Sequence, residues 1–208
     1  MEHLSTAALE AGLDHVRDAP PDGGTVELIV CRPAVDERAL LAEGTLVVDA
    51  GLAGDTWLAR GSTRTADGSA HPEMQLTVMN ARAALLVAAQ DPDRRQLAGD
   101  QLYVDLDIST ENLPPGTRLS LGSAVIEVTA RPHTGCVKFA ARFGKDALRF
   151  VNSRTGRALR LRGLNARIVV SGTVRTGDVV RKLPAAPADV ADPADLAGAG
   201  RLRAAARD

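Results

Sequence analysis

A chain of 208 residues fits one domain of ordinary size, and 45% hydrophobic residues are enough to build a core. Net charge is −1, the aromatic share is 2%, and no apolar run approaches the roughly 18 residues of a membrane span. Two distant cysteines do not make a disulfide framework, and Met-Glu-His-Leu lacks the basic and apolar regions of a secretory signal, so a cytoplasmic protein with no membrane partner is expected.

In chain order, apolar residues at Leu4, Ala7, Ala8, Leu9, Leu13 and Val16 predict an amphipathic helix over Glu2 to Arg17. Pro20 to Gly24 ends it, so residues 1–24 read as a helix and linker. Thr25 to Cys31 is rich in β-branched residues and predicts a buried strand, with Cys31 in the core. Asp36 to Ala42 suits a helical turn, and Thr45 to Ala50 a second strand. This strand runs into Gly51-Leu52-Ala53-Gly54-Asp55, a tight loop ahead of Trp57, which is expected as a packing anchor. Arg60 to Pro72 is polar and reads as a loop, with His71 expected in solvent.

Met74 to Met79 predicts a strand, and Asn80 is a good N-cap for a helix from Ala81 to about Gln90. Leu102, Val104, Leu106 and Ile108 alternate with polar residues at the period of a strand. Leu119 to Thr129 forms a hairpin with Gly122-Ser123 at its turn, and delivers the chain into Arg131 to Cys136. A helix follows to Gly144, then a shorter one over Lys145 to Ser153. Arg167 to Val170 and the Gly172 to Val180 hairpin close the domain, residues 25–183. The Ala- and Pro-rich residues 184–208 are expected to be disordered. Many short strands with a few short helices predict a mostly β, α+β fold of barrel type.

The chemistry concentrates around Cys136. His133 lies three residues before it and Lys138 two after, at the start of a helix, a position that favours thiolate chemistry. From Val128 to Gly177 the chain has eleven Lys and Arg against one acid, Asp146, a local surplus that suggests a site for a small anion. The scarcity of aromatic residues argues against nucleic acid, since few rings are available to stack on bases.

Six separated stretches resemble the MOSC domain family, in the family's order. They are Gly51 to Asp55, Gln75 to Asn80, Thr110 to Leu113, Gly122 to Thr129, the loop to Cys136, and Gly172 to Asp178. The resemblance implies a MOSC-type β-barrel that binds molybdenum cofactor, with Cys136 as ligand to molybdenum or as carrier of sulfur. It departs at one point: many members place Pro directly before this cysteine, whereas Arg131-Pro132 is followed here by His-Thr-Gly. No pyridoxal phosphate is expected, because the aminotransferase-like domain of the sulfurases has no counterpart in the sequence.

Molybdopterin carries a phosphate and a dithiolene, so it needs cationic donors and a soft metal site. Arg160 and Arg162, with Asn165, are expected at the phosphate, and Asn112, Lys138 and Thr134 around the cofactor. Cys136 is the expected metal ligand, with His133 beside it as the second catalytic residue. The leading expectation is an oxidoreductase acting on N-hydroxylated compounds, served by an electron donor. The first alternative is a carrier of cofactor or persulfide for a molybdoenzyme partner. The second is a thiol or zinc hydrolase using Cys136, His133 and His71.

Overall fold

The computed structural model describes residues 3–184. The expectation of disorder over 184–208 therefore falls, except for Pro184, outside the described residues. The chain begins with α1 (Thr6–Ala11) and α2 (Leu13–Arg17), then β1 (Gly24–Cys31), β2 (Ala39–Leu41), β3 (Glu43–Val47), β4 (Gly51–Leu52) and α3 (Trp57–Arg60). After a 3₁₀ turn at Pro72–Met74 come β5 (Leu76–Asn80) and α4 (Ala81–Val87). A second 3₁₀ segment, Pro92–Ala98, leads to β6 (Leu102–Asp105), β7 (Arg118–Leu121) and β8 (Ala124–Val128). The last elements are α5 (Val137–Asn152), α6 (Arg154–Ala158), β9 (Leu164–Val170), β10 (Gly172–Arg175) and β11 (Val179–Lys182).

Seven strands close into a barrel in the order β1-β11-β7-β8-β9-β5-β6, with β6 returning to β1. All of these pairings are antiparallel except β5 with β6. The α+β barrel expected from the sequence is thus the fold. A small second sheet, β10-β3-β4, lies beside it.

The barrel interior is aliphatic: Leu76, Val78, Leu102, Val104, Leu106, Ile126 and Ile168 belong to one buried cluster. A second cluster lies outside the wall, where Leu9, Leu86, Phe139, Phe143 and Phe150 of the helices cover Val30, Met79 and Tyr103. The register of β1 slips between Val26 and Leu28. The extra residue, Glu27, reverses the alternation, so Val26 and Ile29 point inward while Val30 meets the helices.

Two expectations need correction. Asp36 to Ala42 is not a helical turn: Ala39–Leu41 pairs with Ile29, Val30 and Cys31, using backbone groups of β1 that would otherwise lack partners. The N-terminal helix is split at Gly12, where a Cβ would lie 2.4 Å from Leu86 Cδ1. The break expected at Gly144 is present as a kink inside α5, at φ 91°. No helix among the described residues is long and apolar enough to cross a membrane.

Candidate functional site

The loop after β8 carries Cys136 to the N-cap of α5, where the cysteine is exposed and accepts no capping hydrogen bond. Asn152 fixes the approach: its Oδ1 accepts from Gly135 N at 2.9 Å and its Nδ2 donates to Gly135 O at 3.1 Å. Cys136 therefore sits on a tethered turn at the rim of a cleft.

The cleft has two lobes, of about 690 and 600 Å³ including their open mouths. The first lobe holds Cys136 with Arg38, Lys138 and Arg142, and the second holds Trp57, His71, His133 and Asn165. Arg32, Arg60, Gly99 and Arg162 line both.

Buried acids fix two of the shared arginines. The Asp55 side chain is fully buried and accepts from Arg32 Nε at 2.8 Å, from the Arg32 backbone N at 3.0 Å and from Trp57 N at 2.9 Å. The glycines at 51 and 54, both at φ 83°, let the preceding loop turn tightly enough to aim this carboxylate. Burial alone would raise the Asp55 carboxyl, but hydrogen bonds and charge from Arg32 outweigh it and hold the pKa below the usual carboxylate range. Asp100, also fully buried, accepts from Arg162 Nη1 at 2.6 Å, while that guanidinium lies 5.2 Å from the centre of the Phe139 ring.

Six cationic side chains line the first lobe. Arg32, Arg142 and Arg162 are paired with Asp55, Asp36 and Asp100. Arg38, Arg60 and Lys138 form no ion pair among the described residues. Burial, then the charges of Arg142 and Arg32, press the pKa of Arg38 below its ordinary value, and burial with Arg32 does the same at Arg60. Cations gathered this closely repel one another, and a counter-charge would relieve that repulsion.

His133 is 14% exposed at its side chain, and its Nδ1 lies 3.4 Å from Asp100 Oδ1, short of hydrogen-bond geometry. Burial, reinforced by Arg162 and opposed by Asp100, pushes its pKa down to about 3. The imidazole is neutral at physiological pH. It lines the second lobe, whereas Cys136 lines the first.

The structure gathers Cys136, Lys138, Arg162, Asn165 and His133 around this cleft. It does not bring Arg160, Thr134 or Asn112 to it. Arg160 Nη1 donates to the carbonyls of Ile108 and Leu113, and Thr134 lines a neighbouring pocket with Arg160, Arg157 and His133. Asn112 accepts from Lys182 Nζ at 2.9 Å and donates to the carbonyls of Pro21 and Asp107, in a loop-bracing role. His71 is not in solvent: it is 6% exposed, because its Nδ1 caps the Pro72–Met74 turn by accepting from Glu73 N at 3.2 Å.

Arg32, Arg38 and Arg60 lie outside the basic segment that drew attention in the sequence. Only the Gly51 to Asp55 loop hinted at them, through the acid that clamps Arg32. Among the described residues no three His, Cys, Asp or Glu side chains converge as metal ligands.

The family model for the MOSC domain matches residues 69–181. The chain belongs to the MOSC domain family. No curated protein matches it. Among solved structures, this MOSC protein is similar to the YuaD protein from Bacillus subtilis, at 14% identity and a TM-score of 0.54 over 76% of this chain and 93% of that one. YiiM from Escherichia coli is similar at 19% identity and a TM-score of 0.51, over 79% of this chain and 72% of that one. At such identities the likeness speaks for the fold alone.

Proposed function

We propose that this MOSC protein binds molybdenum cofactor in the two-lobed cleft, with Cys136 as protein ligand to the metal. One observation carries the reading: an exposed cysteine shares a lobe with three cations that have no acidic partner among the described residues. A soft sulfur beside unpaired cations fits a phosphorylated dithiolene chelate. Arg38, Arg60 and Lys138 would hold the phosphate, and Arg32 and Arg162, immobilised by Asp55 and Asp100, form a wall that need not reorganise on binding. Neutral His133 can accept a hydrogen bond from a ligand but is too weak a base to draw a proton readily. When bound, the cofactor supplies two-electron redox chemistry, and reduction of N-hydroxylated compounds is the reaction we assign to it.

A second reading makes the protein a carrier of cofactor, or of sulfur on Cys136, for a molybdoenzyme partner. It is favoured by the exposure of that sulfur and by the lack of any histidine in its lobe. The same lack leaves a thiol hydrolase without a base next to its nucleophile.

Metal analysis after expression in a cofactor-producing host tests both readings. Wild type should carry molybdenum and pterin, and Cys136→Ala at least about tenfold less metal. Metal-free wild type would remove both cofactor readings. A sulfur adduct on Cys136 in the mass spectrum, with no turnover, would select the carrier.

A further inference from the structure

The second lobe contains polar groups that the proposed phosphate and metal contacts leave unused. Asn165 is fully buried on β9, and its Nδ2 donates to the Arg131 carbonyl at 3.1 Å. That bond fixes the amide orientation and leaves Oδ1 as a buried acceptor without a partner among the described residues. His71, 6% exposed, accepts the Glu73 N–H at Nδ1, so its ring hydrogen is on Nε2 and can be donated. The indole of Trp57 lines the same lobe. Asn165, His71 and Trp57 thus bring an acceptor, a donor and an aromatic side chain to the lobe. Arg32, Arg60 and Arg162, which it shares with the first lobe, make the two continuous.

Buried polar atoms without partners cost stability, and a ligand that pairs them recovers it. We infer that this lobe reads the aminopyrimidinone edge of a pterin, with Asn165 Oδ1 accepting from its amino or ring N–H and His71 Nε2 donating to its carbonyl. The inference rests on the proposed cofactor binding and adds the orientation of the ligand. In molybdopterin the phosphate and dithiolene lie at one end and the bicyclic heterocycle at the other. The first end matches the lobe of Cys136, Arg38 and Lys138, and the second matches that of Asn165 and His71. Asn165 and His71 act as specificity-determining residues, in the lobe that Cys136 does not line.

Binding to the full chain from a host that makes no cofactor provides the test, read by calorimetry. The probes are pterin, its 2-dimethylamino analogue and inorganic pyrophosphate. Wild type should bind pterin, and the analogue, which has lost its amino donor, about tenfold more weakly. Asn165→Leu should weaken pterin by a similar factor and leave pyrophosphate unchanged, which also reports that the variant is folded. Equal affinity for pterin and its analogue overturns the inference without recourse to any variant, as does an Asn165→Leu protein that binds pterin like wild type. Pyrophosphate binding without pterin binding would sink this assignment and leave the anion cleft standing. Failure of both probes would sink the cofactor reading as well.

Discussion

His133 carries a stability cost that pH should expose. Burial, reinforced by Arg162, Arg32 and Arg64 and opposed only by Asp100, keeps the ring neutral. An unfolded histidine takes up its proton below about pH 6.5, whereas the folded one waits until about pH 3. Between those values the unfolded chain binds more protons, so acid drains stability from the fold. At roughly 1.36 kcal/mol per unit the loss is at most about 5 kcal/mol. Urea midpoints of wild type should therefore fall more steeply from pH 6.5 to 4 than those of His133→Gln. Parallel curves would show that the imidazole is already charged in the fold. Cys136 was legible as a candidate because few cysteines occur and charged neighbours flank it. Arg38 and Arg60 were not, because only folding brings residues from the first third of the chain against α5.

At the scale of elements, caps and alternation were well marked. Asn80 Oδ1 accepts from Ala83 N at 2.9 Å, the cap expected for α4. Its Nδ2 also donates to the Leu106 carbonyl at 2.8 Å, joining the helix start to the chain beyond β6, which the sequence could not show. Asn80→Ala removes both bonds at a site 2% exposed and should cost about 2–3 kcal/mol, measured by thermal or urea unfolding. Asn80→Asp keeps the cap acceptor and should recover part of that loss. The alternation over Leu102, Val104, Leu106 and Ile108 marked the inward face of the barrel correctly. Tyr103 between them is buried as well, since helices cover the outer face there. β2 was missed because its residues suit a helical turn equally well, and the free edge of β1 decides between the two.

For the whole molecule, closure of the barrel depends on its last strand. β11 joins β7 on one side and β1 on the other, with Val180 paired to both Leu121 and Gly24. Without it, β1 and β7 would expose unpaired backbone and the aliphatic interior would meet water. A chain ending at Asp178 should lose the cooperative unfolding transition that a chain ending at Pro184 retains, as followed by circular dichroism.

The sequence by itself determined the barrel class, the strand faces and the cysteine, because alternation, turn residues and rare residue types are local properties. Only the tertiary structure decided which charges form the cleft. The basic run from Val128 to Gly177 is largely spent elsewhere: Arg149 pairs with Asp146, Arg167 with Glu127 and Arg175 with Glu43. Charge density along a chain does not say where side chains point. The electrostatic field of the cleft depends on distances in space, and these exist only once the strands have closed around a common core.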